Sequence, residues 1–320
     1  MLVQWLALLG VFTLAFAGCS EDDATQPPAP DTEADVLTEG SEDVDDPGEV
    51  SDEPEEQPDP LPEPAALPPY SGEACPAMEP GTVEIVSAGL QRAIHLTLPA
   101  QPADAPVLFI YHGNGSNAAQ FVQFFQAERI AREFGVIVVT PSSTGQYQIE
   151  WPIIRGERKG PDETLFLDVL ACLDEAFGID RRRVYTTGFS AGALWSTHLV
   201  MQRGEYLAGA AIFSGGVSTF TTAYTTPAWP MPVLATHGGP TDEVVIRFDQ
   251  TTDEMVRKLV ADGHLTVLCT HSRGHTIPWN IPDLMMPFLL AHAYGEVDTD
   301  AYADGLPGVW PEGCVLQRAD

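Results

Sequence analysis

From residue 105 onward the chain alternates two kinds of apolar pattern. Short runs such as "PVLFIYHG" (106–113), "GVIVVTP" (135–141), "RVYTTGFS" (183–190), "AGAAIFSGG" (208–216), "PVLATHGG" (232–239) and "LTVLCTHS" (265–272) are almost continuous in apolar or β-favouring residues. That is the signature of strands buried on both faces. Between them, "NAAQFVQFFQAERIAREF" (117–134), "DETLFLDVLACLDEAFG" (162–178), "AGALWSTHLVMQR" (191–203) and "TTDEMVRKLVADG" (251–263) place apolar residues three and four apart. These stretches predict helices. Strand and helix in alternation imply an α/β fold, a mostly parallel sheet with helices on both faces, in one domain over residues 71–320.

The first 70 residues follow neither pattern. Residues 1–18 hold an apolar run ending in Phe16-Ala17-Gly18 before Cys19. It is shorter than the roughly 20 residues a spanning helix requires. The stretch resembles a bacterial lipoprotein signal peptide, which implies cleavage and lipidation at Cys19 and an extracytoplasmic, membrane-anchored protein. A retained membrane helix and an unlipidated secreted product are the alternatives. From residue 19 to 70 the composition is Asp, Glu, Pro, Thr and Ala, with eighteen acidic residues between Glu21 and Glu63 and no Lys or Arg before Arg92. Such a segment offers too little apolar surface to offset its ordering entropy and reads as an acidic, Pro-rich tether. The whole chain carries a formal charge of -31, so nucleic acid is excluded as a partner.

Four cysteines follow the tether: Cys75, Cys172, Cys269 and Cys314. An even number in an exported domain implies two disulfides, with three connectivities open. Cys75 and Cys314 lie near the two ends of the domain, which favours a bridge between its termini. Their spacing matches no metal site.

The chemistry centres on "GFSAG", Gly188 to Gly192, where a predicted strand meets a predicted helix. A Gly-x-Ser-x-Gly junction is sharp and strained, and it lifts the serine above the carboxyl edge of the sheet, where ligands of such folds bind. Ser190 is therefore the candidate nucleophile; a helix N-cap serine between turn glycines is the bland alternative. A serine needs a base, and the base an orienting acid, in the chain order Ser, acid, His on this architecture. Asp242, after "PVLATHGG", and His275, after "LTVLCTHS", supply that order. Their competitors are Glu243, Asp249 and Asp253 for the acid, and His271 and His237 for the base. Negative charge on a carbonyl oxygen needs preorganised amides. Those of Asn114, in "YHGNGSN" (111–117), and Ala191 are the candidates.

With these residues in place, the domain resembles the α/β-hydrolase superfamily, in particular the poly(3-hydroxybutyrate) depolymerase and feruloyl or acetylxylan esterase branch. The resemblance spans residues 75 to 314 and rests on "VLFIYHGNGSNAAQF", "IDRRRVYTTGFSAGALWSTHL", "THGGPTDEVV" and "RGHTIPW". It implies Ser190, Asp242 and His275 as a catalytic triad and an ester as substrate, with no cofactor or metal. Two departures are the Asn114 that follows His112-Gly113 and an acid five rather than four residues beyond His237. Residues 215–232, "GGVSTFTTAYTTPAWPMP", form a long connection between two strands. Phe220, Tyr224 and Trp229 from it, with Trp195 and Trp279, are candidates for a substrate-binding wall, against the alternative that they pack the loop onto the body. The expected function is an extracytoplasmic serine esterase working through an acyl-enzyme. A serine peptidase on the same fold and a non-catalytic ligand-binding lipoprotein are the rivals.

Overall fold

A computed structural model describes residues 61–297 and 299–319. The leader over 1–18, Cys19 and most of the tether lie outside the described residues. The compact unit runs Pro58–Asp320, and among the described residues no helix is long and apolar enough to cross a membrane.

A nine-stranded sheet organises the described residues, in the order β1-β2-β4-β3-β5-β6-β7-β8-β9. Six strands run parallel: β3 (Val107–Tyr111), β4 (Ile137–Pro141), β5 (Val184–Phe189), β6 (Gly209–Phe213), β7 (Val233–His237) and β8 (Thr266–Thr270). These are the six continuous apolar runs of the sequence, and the apolar residues of each are divided between two cores. Phe109 and Tyr111 pack on one side of β3 while Leu108 and Ile110 pack on the other. The first core lies under α3 (Gly160–Phe177), α4 (Ala191–Arg203) and α5 (Phe248–Ala261); the second lies under α1 (Ala118–Phe124), α2 (Ala127–Phe134) and α6 (Ile281–Leu290). Helices cover both faces, as the alternation predicts.

The antiparallel edges carry a different pattern. β1 (Gly81–Ser87) and β2 (Leu90–Thr97) form a hairpin in which Val83 and Ile85 point inward between exposed Thr82, Glu84 and Val86. That is the period-two signature of a strand with one solvated face. At the opposite edge β9 (Cys314–Gln317) pairs with β8.

The single helix expected over 117–134 is two. Phe121, Val122 and Phe125 face the sheet, but Ala127, Ile130 and Ala131 would sit on the opposite side of a continuous helix at 100° per residue. A left-handed Gln126, φ 55°, breaks the helix and turns the second apolar face back onto the core. Asn117 caps the first half, accepting from Gln120 N at 3.0 Å.

Two disulfides form, Cys75–Cys172 and Cys269–Cys314. The bridge between Cys75 and Cys314 does not. Segment 71–75 is laid along α3, where Ser71 donates to Asp168 through both its amide (2.8 Å) and its hydroxyl (2.6 Å). One helical turn further on, Cys172 meets Cys75. Cys314 stands directly across from Cys269 in the β8–β9 register. Residues 61–70, read from sequence as tether, also lie against this body: Leu67 and Tyr70 pack on the core and the Ala65 amide donates to Glu205 O at 2.9 Å.

Candidate active site

The turn between β5 and α4 is as tight as its glycines require. A Cβ on Gly192 would overlap the Tyr111 carbonyl, and one on Gly188 would overlap the backbone of Gly192. Helix and strand therefore approach more closely than side chains permit. Ser190, half-buried, takes φ 58° and ψ -121°. For a non-glycine residue that conformation costs about 1–3 kcal/mol. The fold holds it by two hydrogen bonds: Ser190 N donates to Phe213 O, and Leu194 N donates to Ser190 O, both at 3.0 Å. Ala191 opens α4, so its amide is among the first four, which have no acceptor within the helix. The helix dipole adds positive potential at the same point.

Asp242 and His275 meet. The first follows β7 and is fully buried; the second follows β8 and is 20% exposed in its side chain. His275 Nδ1 donates to Asp242 Oδ1 at 2.6 Å, which turns Nε2 to the ring's opposite edge. The other carboxylate oxygen accepts from Ser214 Oγ at 2.7 Å and from the Gly238 amide at 2.8 Å. Burial alone would raise the Asp242 pKa. The hydrogen bonds from His275, Gly238 and Ser214 outweigh it, and the carboxyl lies below its ordinary value. Ser214 itself has φ 53°, a second strained residue at this edge. The His275 loop closes on the Asp242 loop through Gly274 N to Gly238 O at 3.3 Å, where a Cβ on Gly238 would strike the Gly274 backbone.

Two phenylalanines hold the His275 ring. Phe189, the residue before Ser190, stacks on it at 4.6 Å and 27°; Phe248 stacks at 4.8 Å and 18°. The other candidates are engaged elsewhere. His271 turns Nε2 to the Thr276 carbonyl and accepts from Arg273 N on Nδ1. His237 accepts from Gly239 N and faces Asp253 at 3.1 Å. Asp249 pairs with Arg247.

The loop after β3 runs beside Ser190: a Cβ on Gly113 would sit 3.5 Å from that of Ser190. Its conformation is braced from below. His112 accepts from Ser143 N on Nε2 (3.3 Å), so its Nδ1–H donates to Gly113 O at 3.0 Å. Burial lowers the pKa of this ring, which fits that neutral form. Trp151 Nε1 donates to His112 O at 2.7 Å, and Glu150 accepts from both Ser143 Oγ (2.5 Å) and Gly115 N (3.3 Å). Asn114 is left exposed at the loop's tip. Glu150, Ser143, Ser214, Phe189 and Phe248 were not legible as site residues. Apart from the Ser143–Glu150 bond, which spans seven residues, their partners are distant in sequence, and only the glycines flanking the Phe213-Ser214 strand end hint at one of them.

Three of the five candidate wall residues, Trp195, Tyr224 and Trp229, are elsewhere. Trp195 is fully buried, stacked on His198 at 4.9 Å, and reaches no surface. The 215–232 connection begins at the carboxyl edge, with Val217 N bonded to Thr251 O, but crosses to the edge where the parallel strands begin. There Tyr224 OH donates to Asp262 Oδ2 at 2.8 Å, beyond the end of α5, and Trp229 Nε1 donates to Leu207 O at 2.8 Å, just before β6. Tyr224 and Trp229 therefore lie at the edge of the sheet opposite Ser190 and line no wall there. Trp279 remains near the His275 loop. It packs edge-on against His271 and lines a mostly apolar groove of about 630 Å³ between α6 and residues 301–311.

A six-stranded parallel centre with Ser190 on a strand–helix turn, and Asp242 and His275 on the following loops, is the architecture of the α/β hydrolases. The model of the family described as Phospholipase/Carboxylesterase matches residues 169–291. The solved structure of a protein called pOPH aligns with a TM-score of 0.66 at 18% identity, covering 78% of this chain and 98% of pOPH, a likeness of fold. Two curated proteins are similar in sequence. One is the bifunctional acetylxylan esterase/xylanase XynS20E of Neocallimastix patriciarum, 27% identical over 164 residues. The other is feruloyl esterase B of Talaromyces stipitatus, 24% identical over 126 residues. These matches cover 51% and 38% of this chain and 23% and 35% of those relatives. The match to the phospholipase/carboxylesterase model runs from within α3 to the end of α6 and takes in Ser190, Asp242 and His275, and the fold is that of the α/β hydrolases.

Proposed function

We propose that the protein is an extracytoplasmic carboxylic ester hydrolase with Ser190 as nucleophile, His275 as base and Asp242 as orienting acid. The observation that carries this reading is the 2.6 Å bond between His275 and a buried, negatively charged Asp242, on loops at the sheet edge where the strained Ser190 turn stands. A serine hydroxyl is a weak nucleophile unless an adjacent base takes its proton, and a base keeps the correct tautomer only while its other nitrogen is bonded. Asp242 fixes that tautomer and offsets the positive charge His275 acquires.

In the proposed cycle, His275 Nε2 removes the Ser190 proton as Oγ attacks the ester carbonyl carbon. The carbonyl oxygen takes the electron pair and is held by the Ala191 and Asn114 amides, assisted by the α4 dipole. Collapse expels the alcohol with the proton from His275, leaving an acyl-serine, which water attacks with His275 again as base. The two sequence relatives support an ester linked to a plant-wall polysaccharide, acetyl or aromatic in its acyl part. Two disulfides support an oxidising compartment outside the cytoplasm. The acidic segment after Cys19 serves as a spacer from a lipid anchor on that residue.

The test is a panel of acetyl, butyryl and feruloyl esters with a peptide anilide beside them, each with Ser190→Ala as control. Ester turnover that falls about a thousandfold or more in the variant is expected. Turnover of the anilide alone would replace the esterase by a peptidase, and equal activity of the variant would remove Ser190 from the mechanism.

A further inference from the structure

We propose that Phe189 and Phe248 act as an aromatic clamp on His275, positioning residues that hold the imidazole and stabilise the imidazolium it becomes during turnover. The proposal rests on the triad reading above. Both rings lie nearly parallel to the imidazole, at 4.6 and 4.8 Å between centroids, without being in ring contact with one another. They therefore take opposite faces of it. With one edge of the ring bonded to Asp242, only the Nε2 edge is left open.

The clamp is tied to the other two members of the triad. Phe189 is joined to Ser190 by one peptide bond. Phe248 N donates to Asp242 O at 2.9 Å, so the ring on the second face is fixed to the acid's own backbone. A shift of either loop therefore carries the base with it, and the three groups keep their spacing. Such bracing is needed because His275 is on a loop, beside the left-handed Gly274, and is 20% exposed. A loop histidine held only by one hydrogen bond samples rotamers that point Nε2 away from the serine, and misplacement by an ångström is expensive in rate.

The clamp also acts electrostatically. The faces of a phenyl ring carry negative potential, and a cation over one is attracted. Neutral imidazole gains little from this; the imidazolium formed while Ser190 attacks gains from both faces. The stabilisation is thus larger in the transition state than in the resting enzyme, which is the condition for raising kcat rather than lowering KM.

The experiment compares Phe248→Leu, Phe248→Tyr and the unmodified protein, with rates expressed per site titrated by a fluorophosphonate. Leucine keeps an apolar side chain of similar bulk and removes the ring face. The expected result for it is a kcat lower by about five- to tenfold with KM within about twofold. Tyrosine, which restores a ring face, is expected to return kcat to within about twofold. The His275 ring protons, shielded by two stacked rings, should move downfield in the NMR spectrum of Phe248→Leu and stay in place in Phe248→Tyr. Wild-type kcat per titrated site in Phe248→Leu, or unmoved ring protons, would overturn the clamp. So would a correctly folded Phe248→Tyr that stays as slow as the leucine variant. Ser190→Ala in the same assay separates the two claims: if it still turns over ester, the triad reading fails, while the ring-proton shifts continue to report the stacking.

Discussion

Two histidines in this molecule have nearly the same immediate partners and different surroundings. His275 bonds Asp242 at 2.6 Å and stacks on Phe189 and Phe248; His198 bonds Glu163 at 2.6 Å and stacks on Trp195. His198 lies between α3 and α4 with 6% of its side chain exposed, and its carboxylate is shared with Arg203. Burial lowers its pKa more than Glu163 raises it, so the ring is held neutral. His275 is on a loop at the strands' carboxyl edge, with one nitrogen committed to Asp242 and the other edge open. A histidine bonded to a carboxylate is therefore a structural joint or an acid–base relay according to what its second nitrogen can reach. Bond length does not distinguish them.

Removing each carboxylate's charge should separate the pair most sharply. In Asp242→Asn the amide presents a donor to Nδ1, which forces the wrong tautomer on His275. Ester turnover should fall by about a thousandfold or more while the fold persists. Glu163→Gln should leave turnover per titrated site within about twofold and lower stability by about 1–3 kcal/mol, since it weakens the bonds to buried His198 and half-buried Arg203. Denaturant melts and titrated rates on the two variants check both halves. Equal losses of activity would mean that the α3–α4 joint reaches the site after all.

A smaller effect concerns pH. The folded pKa of His198 lies below the ordinary 6.5, so on acidification the unfolded chain takes up that proton first. The stability His198 contributes is complete above about pH 6.5 and is lost as pH falls from there through its folded value. His264 and His112 are lowered by burial in the same way. His198→Gln should therefore flatten, without abolishing, the fall in melting temperature between about pH 6.5 and 5. An unchanged slope would mean that His198 does not stay neutral in the fold.

How much of this was legible in the sequence depends on the range of the interaction. The six buried strands and the Ser190 turn are local: continuous apolar runs, and glycines where no Cβ fits, are written in adjacent residues. Asp242 and His275 could be named from chain order because loops after successive parallel strands share an edge. The path of residues 215–232 was not legible. Its aromatics answer to Asp262 and Leu207, partners far along the chain, and nothing within "TFTTAYTTPAW" says that the segment crosses to the other edge. The disulfides were hidden for the same reason, since Cys75 meets Cys172 on a segment laid along α3, where Ser71 bonds Asp168 one helical turn earlier. The break at Gln126 needed a phase argument across two helical turns, which apolar spacing alone passes over.

Whether Ser190 is an activated nucleophile can be read from intact mass after exposure to a fluorophosphonate, on the protein and on Ser190→Ala. One adduct per chain is expected, absent from the variant and greatly slowed in Asp242→Asn. An adduct that survives Ser190→Ala, or a folded protein that takes none, would contradict the assignment of Ser190 as nucleophile.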